Sequence, residues 1–143
     1  MIVNTQDTVQ SLLDRSEFHF YLTGGRFFKT ESPISDCDYF VQDSREVRSF
    51  LGNEGFRGLE WDYEEMQNQD YKDHQTVVVL ASEDCGTHIQ LVENAAIKEK
   101  AQELLLAFPE LVKALEVLKD RRSFLWNRLY DYVSNNKEGK RWY

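Results

Sequence analysis

The chain has 143 residues, 41% of them hydrophobic, and its 25 acidic and 17 basic side chains give a net charge of -8. This composition predicts one folded domain with a packed core and argues against a disordered chain. The negative charge opposes broad binding to DNA or RNA phosphates, and an acidic surface of this kind suits a basic protein partner.

The cysteines and the hydropathy of the chain indicate in which cellular compartment the protein is expected. Cys37 and Cys85 have neither the paired spacing of a zinc site nor the density of a disulfide scaffold. The first ten residues lack the pattern of a signal peptide, and no apolar run approaches the ~20 residues that span a membrane. We therefore expect a soluble, cytoplasmic protein with no membrane partner.

The first part of the chain predicts a helix, a strand, a turn and a second strand. Apolar residues at helical spacing predict a helix over 5–15. The aromatic run 18–22 predicts a strand that ends in a sharp turn at Gly24 and Gly25. The second predicted strand covers 37–41.

A short helix is expected after the second strand. Asp43 and Glu46 have the spacing of a capping box, which predicts Asp43 as the N-cap of a helix that ends near 52–55. Residues 61–75 are polar and lack clean periodicity, which predicts a loop or a partly ordered connection.

The second part of the chain predicts a hairpin followed by helices. Residues 76–80 and 88–92 are apolar and flank a turn at 84–86, which indicates a β-hairpin. After Asn94 the spacing becomes helical, and Pro109 suits the first position of the next helix.

The last third of the chain predicts long amphipathic helices with a break near Arg121 and Arg122. Residues 119–128 interleave basic and aromatic side chains, as nucleic-acid-binding surfaces do. Helical spacing favours the other interpretation, in which Phe124 belongs to the core and the arginines face solvent. The other predicted core positions are Ile97, Ala101, Leu104, Leu105, Phe108, Leu111, Leu115, Leu118, Leu125, Leu129 and Tyr132.

Together these elements predict an α+β fold with a small mixed sheet. Residues 1–95 are expected to form the core that carries the sheet. Residues 96–143 are expected to form a helical region packed on that core within a single domain.

Two carboxylates on the second predicted strand are the first candidate site residues. Side chains alternate along a strand, so Asp36 and Asp38 project to one face, and Cys37 projects to the other face as a core residue. Adjacent carboxylates repel each other unless a cation lies between them. The pair therefore predicts a site for Mg2+ or Mn2+ held together with substrate phosphates.

Two glycines end the preceding predicted strand. The backbone N–H groups of Gly24 and Gly25 can approach a phosphate closely, especially where a helix begins. Arg26 is placed to add positive charge to the same phosphates. These residues predict a phosphate-binding turn that faces the carboxylate pair.

This pattern resembles the signature of the nucleotidyltransferase superfamily, of the DNA polymerase beta type. In that signature a hydrophobic residue and Gly-Gly or Gly-Ser are followed, after about ten residues, by Asp-x-Asp on the next strand. Here residues 26–35 separate Gly25 from the segment Asp36-Cys37-Asp38. The form Ser35-Asp36-x-Asp38 is similar to that of the minimal members of the family.

The resemblance implies a magnesium-dependent transfer reaction. A nucleoside monophosphate would pass from a nucleoside triphosphate to a hydroxyl group of a protein or a nucleic acid such as RNA. Asp36 and Asp38 would be the catalytic metal ligands. The nucleotide-binding set would be Gly24, Gly25, Arg26 and Ser35.

One position departs from the family pattern. The family places a third acidic ligand on a later strand, and the matching segment here, 89–92, has the neutral Gln90 in that place. Gln90 can ligate through its carbonyl oxygen but brings no charge to a second metal ion. A catalytically degenerate fold that acts as a binding or inhibitory protein is therefore the second hypothesis. Other sources of a third acid are Asp62, Glu64, Glu65, Glu83 and Asp84.

The histidines carry no assigned role. His19, His74 and His88 have no Cys or His partner at metal-ligand spacing. The sequence therefore predicts structural positions for all three.

Overall fold

The computed structural model describes residues 5–28, 37–58, 73–84, 86–117 and 122–136. Helices and strands alternate in the first half, and helices alone make up the described C-terminal part. The elements in chain order are α1 (Thr5–Arg15), β1 (Tyr21–Thr23), α2 (Gly24–Phe28), β2 (Cys37–Gln42), α3 (Arg45–Asn53), β3 (Arg57–Gly58), β4 (Thr76–Ala81), β5 (Thr87–Val92), α4 (Ala95–Leu106), α5 (Pro109–Val117) and α6 (Arg122–Asn136).

The described strands form one mixed sheet in the order β1-β2-β5-β4-β3. β2 and β5 are parallel, and every other neighbouring pair is antiparallel. The α+β class with a small mixed sheet and C-terminal helices is therefore confirmed. The predicted hairpin is also present, because β4 and β5 are consecutive, antiparallel and hydrogen-bonded.

The described residues divide into two compact units. The first contains residues 5–58 and 76–93 within the described ranges, and so carries the sheet with α1, α2 and α3. The second contains residues 73–75 and the helices from Asn94 onward. The loop predicted for 61–75 lies outside the described residues except for its last three positions.

One face of the sheet carries the main core of the first unit. Cys37, Tyr39 and Val41 alternate inward from β2, and Ile89 and Leu91 do so from β5, all almost completely buried. The side chains that cover this face come from α1, α3 and nearby segments: Val9, Leu13, Phe18, Phe20, Val47, Phe50, Leu51 and Phe56. Cys37 is a free, buried cysteine, as predicted.

The first strand begins later than the aromatic run predicts. Phe18 and Phe20 pack on the core, but the strand itself is Tyr21–Thr23. The predicted turn at Gly24 is the first turn of helix α2. The aromatic residues therefore predict correctly that this segment packs on the core, but they predict the start of the strand too early.

The predicted capping box of α3 is wrong by one residue. Ser44 is the N-cap, because its Oγ accepts a hydrogen bond of 3.1 Å from the N–H of Val47. The carboxylate of Asp43 is instead held by Arg48 through two bonds of 2.7 and 2.9 Å. Its backbone N–H donates to the carbonyl of Val92 at 2.9 Å, which continues the sheet instead of the helix.

The second unit begins with a well-formed helix start. Asn94 caps α4 by accepting a 3.2 Å hydrogen bond from the N–H of Ile97, and Pro109 takes the first position of α5 as predicted. The buried face of α4 differs from the predicted one, because it includes Lys98 and Gln102. Phe108, predicted as core, is half exposed.

Among the described residues, the core of α4 and α6 contains four predicted positions and three that the helical spacing does not predict. The predicted ones are Ile97, Ala101, Leu129 and Tyr132, and the others are Trp126, Tyr130 and Val133. Ala101, Tyr130 and Val133 are its buried members, and Trp126 and Leu129 pack against them. The buried positions of α6 therefore include Tyr130 and Val133 beside the predicted positions 129 and 132.

The prediction that Phe124 belongs to the core is wrong. Its side chain is 47% exposed, and the guanidinium of Arg128 lies 5.0 Å from the centre of its ring. Phe124 therefore lies at the surface, where it makes a cation–π contact with Arg128. Residues 118–121, including the predicted break at Arg121, lie outside the described part of the chain.

A buried polar cluster ties residues 73–75 to the helices of the second unit. The Nζ of Lys98 donates to the phenol oxygen of Tyr130 at 3.0 Å, and that phenol donates to Oδ2 of Asp73 at 3.1 Å. Lys98 Nζ also lies 3.6 Å from Asp73 Oδ2 and 4.5 Å from the centre of the Trp126 ring. These contacts offset the cost of burying an ammonium group.

His74 and Gln75 are also held by hydrogen bonds, His74 to α6 and Gln75 to the N-cap of α4. The backbone N–H of His74 donates to Oδ1 of Asn127 at 2.9 Å, and the side chain of Gln75 accepts from the N–H of Asn94 at 2.8 Å. Residues 73–75 are therefore held by short hydrogen bonds as well as by the ion pair between Asp73 and Lys98.

Across the described ranges, none of the helices is long and apolar enough to cross a membrane.

The capping assignment predicts the effect of two substitutions. Ser44→Ala should lower the free energy of unfolding by about 1 kcal/mol, because the N–H of Val47 loses its acceptor. Arg48→Ala should have a smaller effect, since the Asp43–Arg48 pair lies at the surface. Urea denaturation measures both, and a larger loss for Arg48→Ala would show that Asp43 stabilises the helix start more than Ser44 does.

The buried cluster predicts a dependence of stability on alkaline pH. Burial, and then the charge of Asp73, raise the pKa of Tyr130 above its ordinary value of 10.0. The folded chain keeps this proton when the unfolded chain releases it, so the free energy of unfolding should fall above about pH 10, by up to about 1.4 kcal/mol per pH unit.

Tyr130→Phe should remove this part of the pH dependence. It should also cost about 1–3 kcal/mol at neutral pH, because two buried partners lose a hydrogen bond. Denaturation of both proteins at a series of pH values is the measurement, with Tyr132→Phe on the same helix as the matched control. Equal alkaline slopes for wild type and Tyr130→Phe would contradict the prediction.

Candidate functional site

The candidate site lies on the sheet face opposite the main core, around Asp38. In the strand register Asp38 is paired with Thr23 on β1 and with His88 on β5. Paired residues of neighbouring strands point to the same face. Thr23, Asp38 and His88 therefore form a row across three strands, and the backbone ladders fix their positions.

Next to this row the same face is filled by aromatic rings. Phe40 is fully buried and stacks on Tyr21, with 4.8 Å between ring centres. This contact supports one side of the site with large, rigid side chains. The side chain of Asp38, in contrast, is 28% exposed and can be reached from solvent.

Gly24 lies directly against the carboxylate of Asp38. Its φ is +71°, in the left-handed region that favours glycine. A Cβ at this position would lie 2.5 Å from Oδ2 of Asp38 and 3.2 Å from its Cβ. The close approach of strand β2 to the start of α2 therefore requires a residue without a side chain, and the predicted proximity of Asp38 to the glycine turn is present.

The other predicted nucleotide-binding residues are only partly described. Gly25 and Arg26 belong to α2, directly after Gly24, and the side chain of Arg26 is outside the description. Ser35 and Asp36 precede β2 and lie outside the described residues. That Asp36 shares a face with Asp38 stays a prediction.

His88 is the site residue that sequence reasoning missed. Its Nδ1 lies 3.4 Å from Oδ1 of Asp38, and its side chain is 24% exposed. The spacing of Cys and His residues along the chain does not indicate it, because its partner Asp38 is fifty residues away in sequence. The available signal was the predicted strand at 88–92, whose first residue is polar.

Gln90, the predicted third ligand position, is one pair further along the sheet. It lies opposite Phe40 in the register, on the same face as Asp38 and His88. Its Oε1 is buried, and no hydrogen-bond partner for it occurs among the described residues. A buried amide oxygen without a partner is costly, so this atom is a candidate ligand atom.

The acidic residues named as alternatives to Gln90 do not provide a third metal ligand among the described residues. Oδ1 of Asp84 accepts from Ser82 Oγ at 2.7 Å and from the N–H of Gly86 at 3.0 Å, which assigns it to the hairpin turn. Glu83 is exposed next to it in the same turn. Asp62, Glu64 and Glu65 are outside the described residues. Within the described ranges, no group of three or more His, Cys, Asp or Glu side chains could hold a metal ion.

The contact between Gly24 and Asp38 predicts a sharp contrast between two glycines. Gly24→Ala should destabilise the first unit by at least about 1–2 kcal/mol, since the new methyl group meets a carboxylate oxygen and the backbone is left-handed. Gly52→Ala in α3, where a Cβ meets nothing within 4 Å, should be neutral or stabilise by about 0.5–1 kcal/mol.

Urea denaturation of the two variants tests this contrast. A Gly24→Ala protein as stable as Gly52→Ala would mean that Asp38 and Gly24 are not in contact in solution.

No protein-family model, curated protein or solved structure matches the chain.

Proposed function

We propose that the chain is a divalent-metal-dependent nucleotidyltransferase. The reaction joins the oxygen of an acceptor hydroxyl to the α-phosphorus of a nucleoside triphosphate, releases pyrophosphate and frees the hydroxyl proton. The observation that carries the proposal is the contact of the Asp38 carboxylate with Gly24 at the start of α2. It places a carboxylate, which is a ligand type of Mg2+ and Mn2+, beside the glycine turn.

Two of the described side chains carry the kind of oxygen atom that a divalent cation binds. The carboxylate of Asp38 is reachable from solvent, and the buried Oε1 of Gln90 lies on the same face. Carboxylate and amide oxygens are the ligands that Mg2+ and Mn2+ prefer. Asp38 and Asp36 would hold the ion, with Gln90 as a further oxygen ligand. When bound, such an ion neutralises charge on the triphosphate.

The protein groups act by positioning and charge. Gly24 and Gly25 present backbone N–H groups without side chains, so the phosphates can approach the main chain. Arg26 and Ser35 follow in the same connection between β1 and β2 and add a positive charge and a hydroxyl donor. Donors of this kind would orient the α-phosphorus for attack and stabilise the charge that develops on its oxygens.

The acceptor is a hydroxyl group of a protein or an RNA. The net charge of -8 argues for the protein, because a broad RNA contact would need a basic surface. A basic segment of the partner would be attracted to the acidic surface of this chain. The proposed substrates are thus a nucleoside triphosphate and a basic protein.

A specific observation favours a second candidate function. Gln90, where the resemblance implies a third acid, is neutral, and the register pairs it with Phe40 instead of Asp38. A protein that binds nucleotide or a basic partner without transferring a nucleotide would have this site. Nucleotide binding without transfer is the result that selects this candidate.

The enzyme proposal predicts metal-dependent binding and transfer that depend on Asp38. The wild-type protein should bind a nucleoside triphosphate only with Mg2+ or Mn2+, and should transfer label from an α-labelled triphosphate to an acceptor in a cell extract. Asp38→Asn should weaken binding by at least about tenfold and abolish transfer, because the charge of the ligand is lost while its shape is kept.

Two comparisons complete the experiment. Asp14→Asn, an exposed change on α1, is the matched control and should bind and transfer as the wild type does. Arg26→Ala should weaken binding without removing the metal dependence. Equal nucleotide affinity for wild type and Asp38→Asn, measured by calorimetry, would refute the proposed site.

A further inference from the structure

We infer that an apolar groove of the helical unit is the interface between two copies of this chain, related by a two-fold axis. The groove has a volume of about 500 Å³ and is lined by residues of α4, of α5, of α6 and of the connection between α4 and α5. All of its lining residues belong to the second unit. The inference therefore does not depend on the proposed nucleotide site, which lies on the sheet of the first unit.

The lining of the groove is mainly leucine. Leu105 and Leu115 are almost completely buried and form its floor. Phe108 and Leu111 also line the groove but are 50% and 38% exposed, so they form part of its edge. Single exposed apolar residues are ordinary, whereas an apolar groove with exposed apolar side chains at its edge marks a binding surface.

This surface carries both a groove and side chains of the kind that fill one. A second copy, turned by a two-fold axis, would place its Phe108 and Leu111 against the groove of the first copy. The first copy would do the same in return. Reciprocal contacts of this kind define the interfaces of two-fold dimers, in which the same patch of each subunit is used. The exposed apolar edge would then be removed from water in both copies.

The charges of the groove point to the same occupant. Arg128 and Asp131 are its charged lining residues, and both are exposed one turn apart on α6. Among the described residues neither takes part in an ion pair, and the guanidinium of Arg128 lies over the ring of Phe124. A two-fold axis perpendicular to α6 makes the two copies of this helix antiparallel. Arg128 of each copy can then lie opposite Asp131 of the other.

Other occupants fit these two charges less well. A basic segment would be repelled by Arg128, and an acidic segment would be repelled by Asp131. A purely apolar ligand would leave both charges without a partner. The groove needs an acid opposite Arg128 and a base opposite Asp131, and a second copy supplies both by symmetry.

The test is sedimentation equilibrium of the full chain between about 1 and about 500 µM, the range in which interfaces of modest affinity dissociate. The wild type should change from monomer to dimer as its concentration rises. Arg128→Asp and Asp131→Arg should each weaken the dimer at least about tenfold, because like charges then meet at both of the symmetric contacts.

Mixing the two charge variants is the decisive measurement. Arg128→Asp has two carboxylates at the edge of the groove, and Asp131→Arg has two guanidinium groups there. Their equimolar mixture should form a mixed dimer at least about tenfold more tightly than either variant pairs with itself, since opposite charges meet at both contacts. Both variants keep a net negative charge, so overall attraction does not account for such a recovery.

Matched variants control for charge and for apolar area. Lys113→Asp and Glu103→Arg make the same charge changes at exposed positions outside the groove lining, and each should dimerise as the wild type does. Phe108→Gln should weaken the dimer at least about tenfold. Leu106→Gln, at a position that is also 50% exposed but outside the lining, should have a smaller effect. Circular dichroism checks that every variant keeps its fold.

Two results would overturn the inference. A wild-type chain that stays monomeric over the whole range would leave the groove to a small apolar ligand or to a different protein. A dimer that Phe108→Gln and both charge variants leave unchanged would use another surface. Recovery of the dimer when Arg128→Asp is mixed with Asp131→Arg would support the inference, whether or not the chain binds nucleotide.

Discussion

The parallel pairing of β2 with β5 is the constraint on which the first unit depends. It joins residues fifty positions apart over six paired positions, from Cys37 opposite Thr87 to Gln42 opposite Val92. Parallel neighbours cannot be joined by a tight turn, and here α3, β3 and β4 lie between them in the chain. Because both strands are central, the alternation of their side chains builds a core on one face and the candidate site on the other.

This pairing also explains why the site is chemically mixed. Residues 37, 39 and 41 of β2 and residues 89 and 91 of β5 are apolar and belong to the core with α1 and α3, so the register cannot slip without exposing them. The even-numbered residues are then forced into fixed positions, with Asp38 beside His88 and Phe40 beside Gln90. The burial of the apolar face therefore determines which side chains are neighbours on the other face, even where the contacts between those neighbours are weak.

Local signals made part of this arrangement predictable. A short polar side chain before a helical run identified Asn94 as the start of α4, and Pro109 identified the start of α5. Alternation along 37–41 correctly placed Cys37 in the core. Each of these depends on neighbours within about four residues, which a single sequence contains.

What the sequence could not specify depends on contacts between distant segments. The choice of Ser44 over Asp43 as N-cap is decided by Arg48 and by the ladder to Val92. The burial of Lys98 contradicts its usual preference and depends on Asp73 and Tyr130. His88 became a site residue only through the register of β5. Strand register and buried charge are properties of the folded chain, so periodicity alone does not reveal them.

The buried cluster of Asp73, Lys98 and Tyr130 has a consequence for how the chain can be divided. Asp73 precedes strands β4 and β5 in sequence, yet it belongs to the helical unit. A fragment that starts at Asn94 would contain α4, α5 and α6 but would bury Lys98 without the carboxylate that lies 3.6 Å from it. A fragment that ends at residue 93 would carry residues 73–75 without the helices that hold them. The two units are compact in space but interleaved in sequence, so no single cut of the chain yields both of them complete.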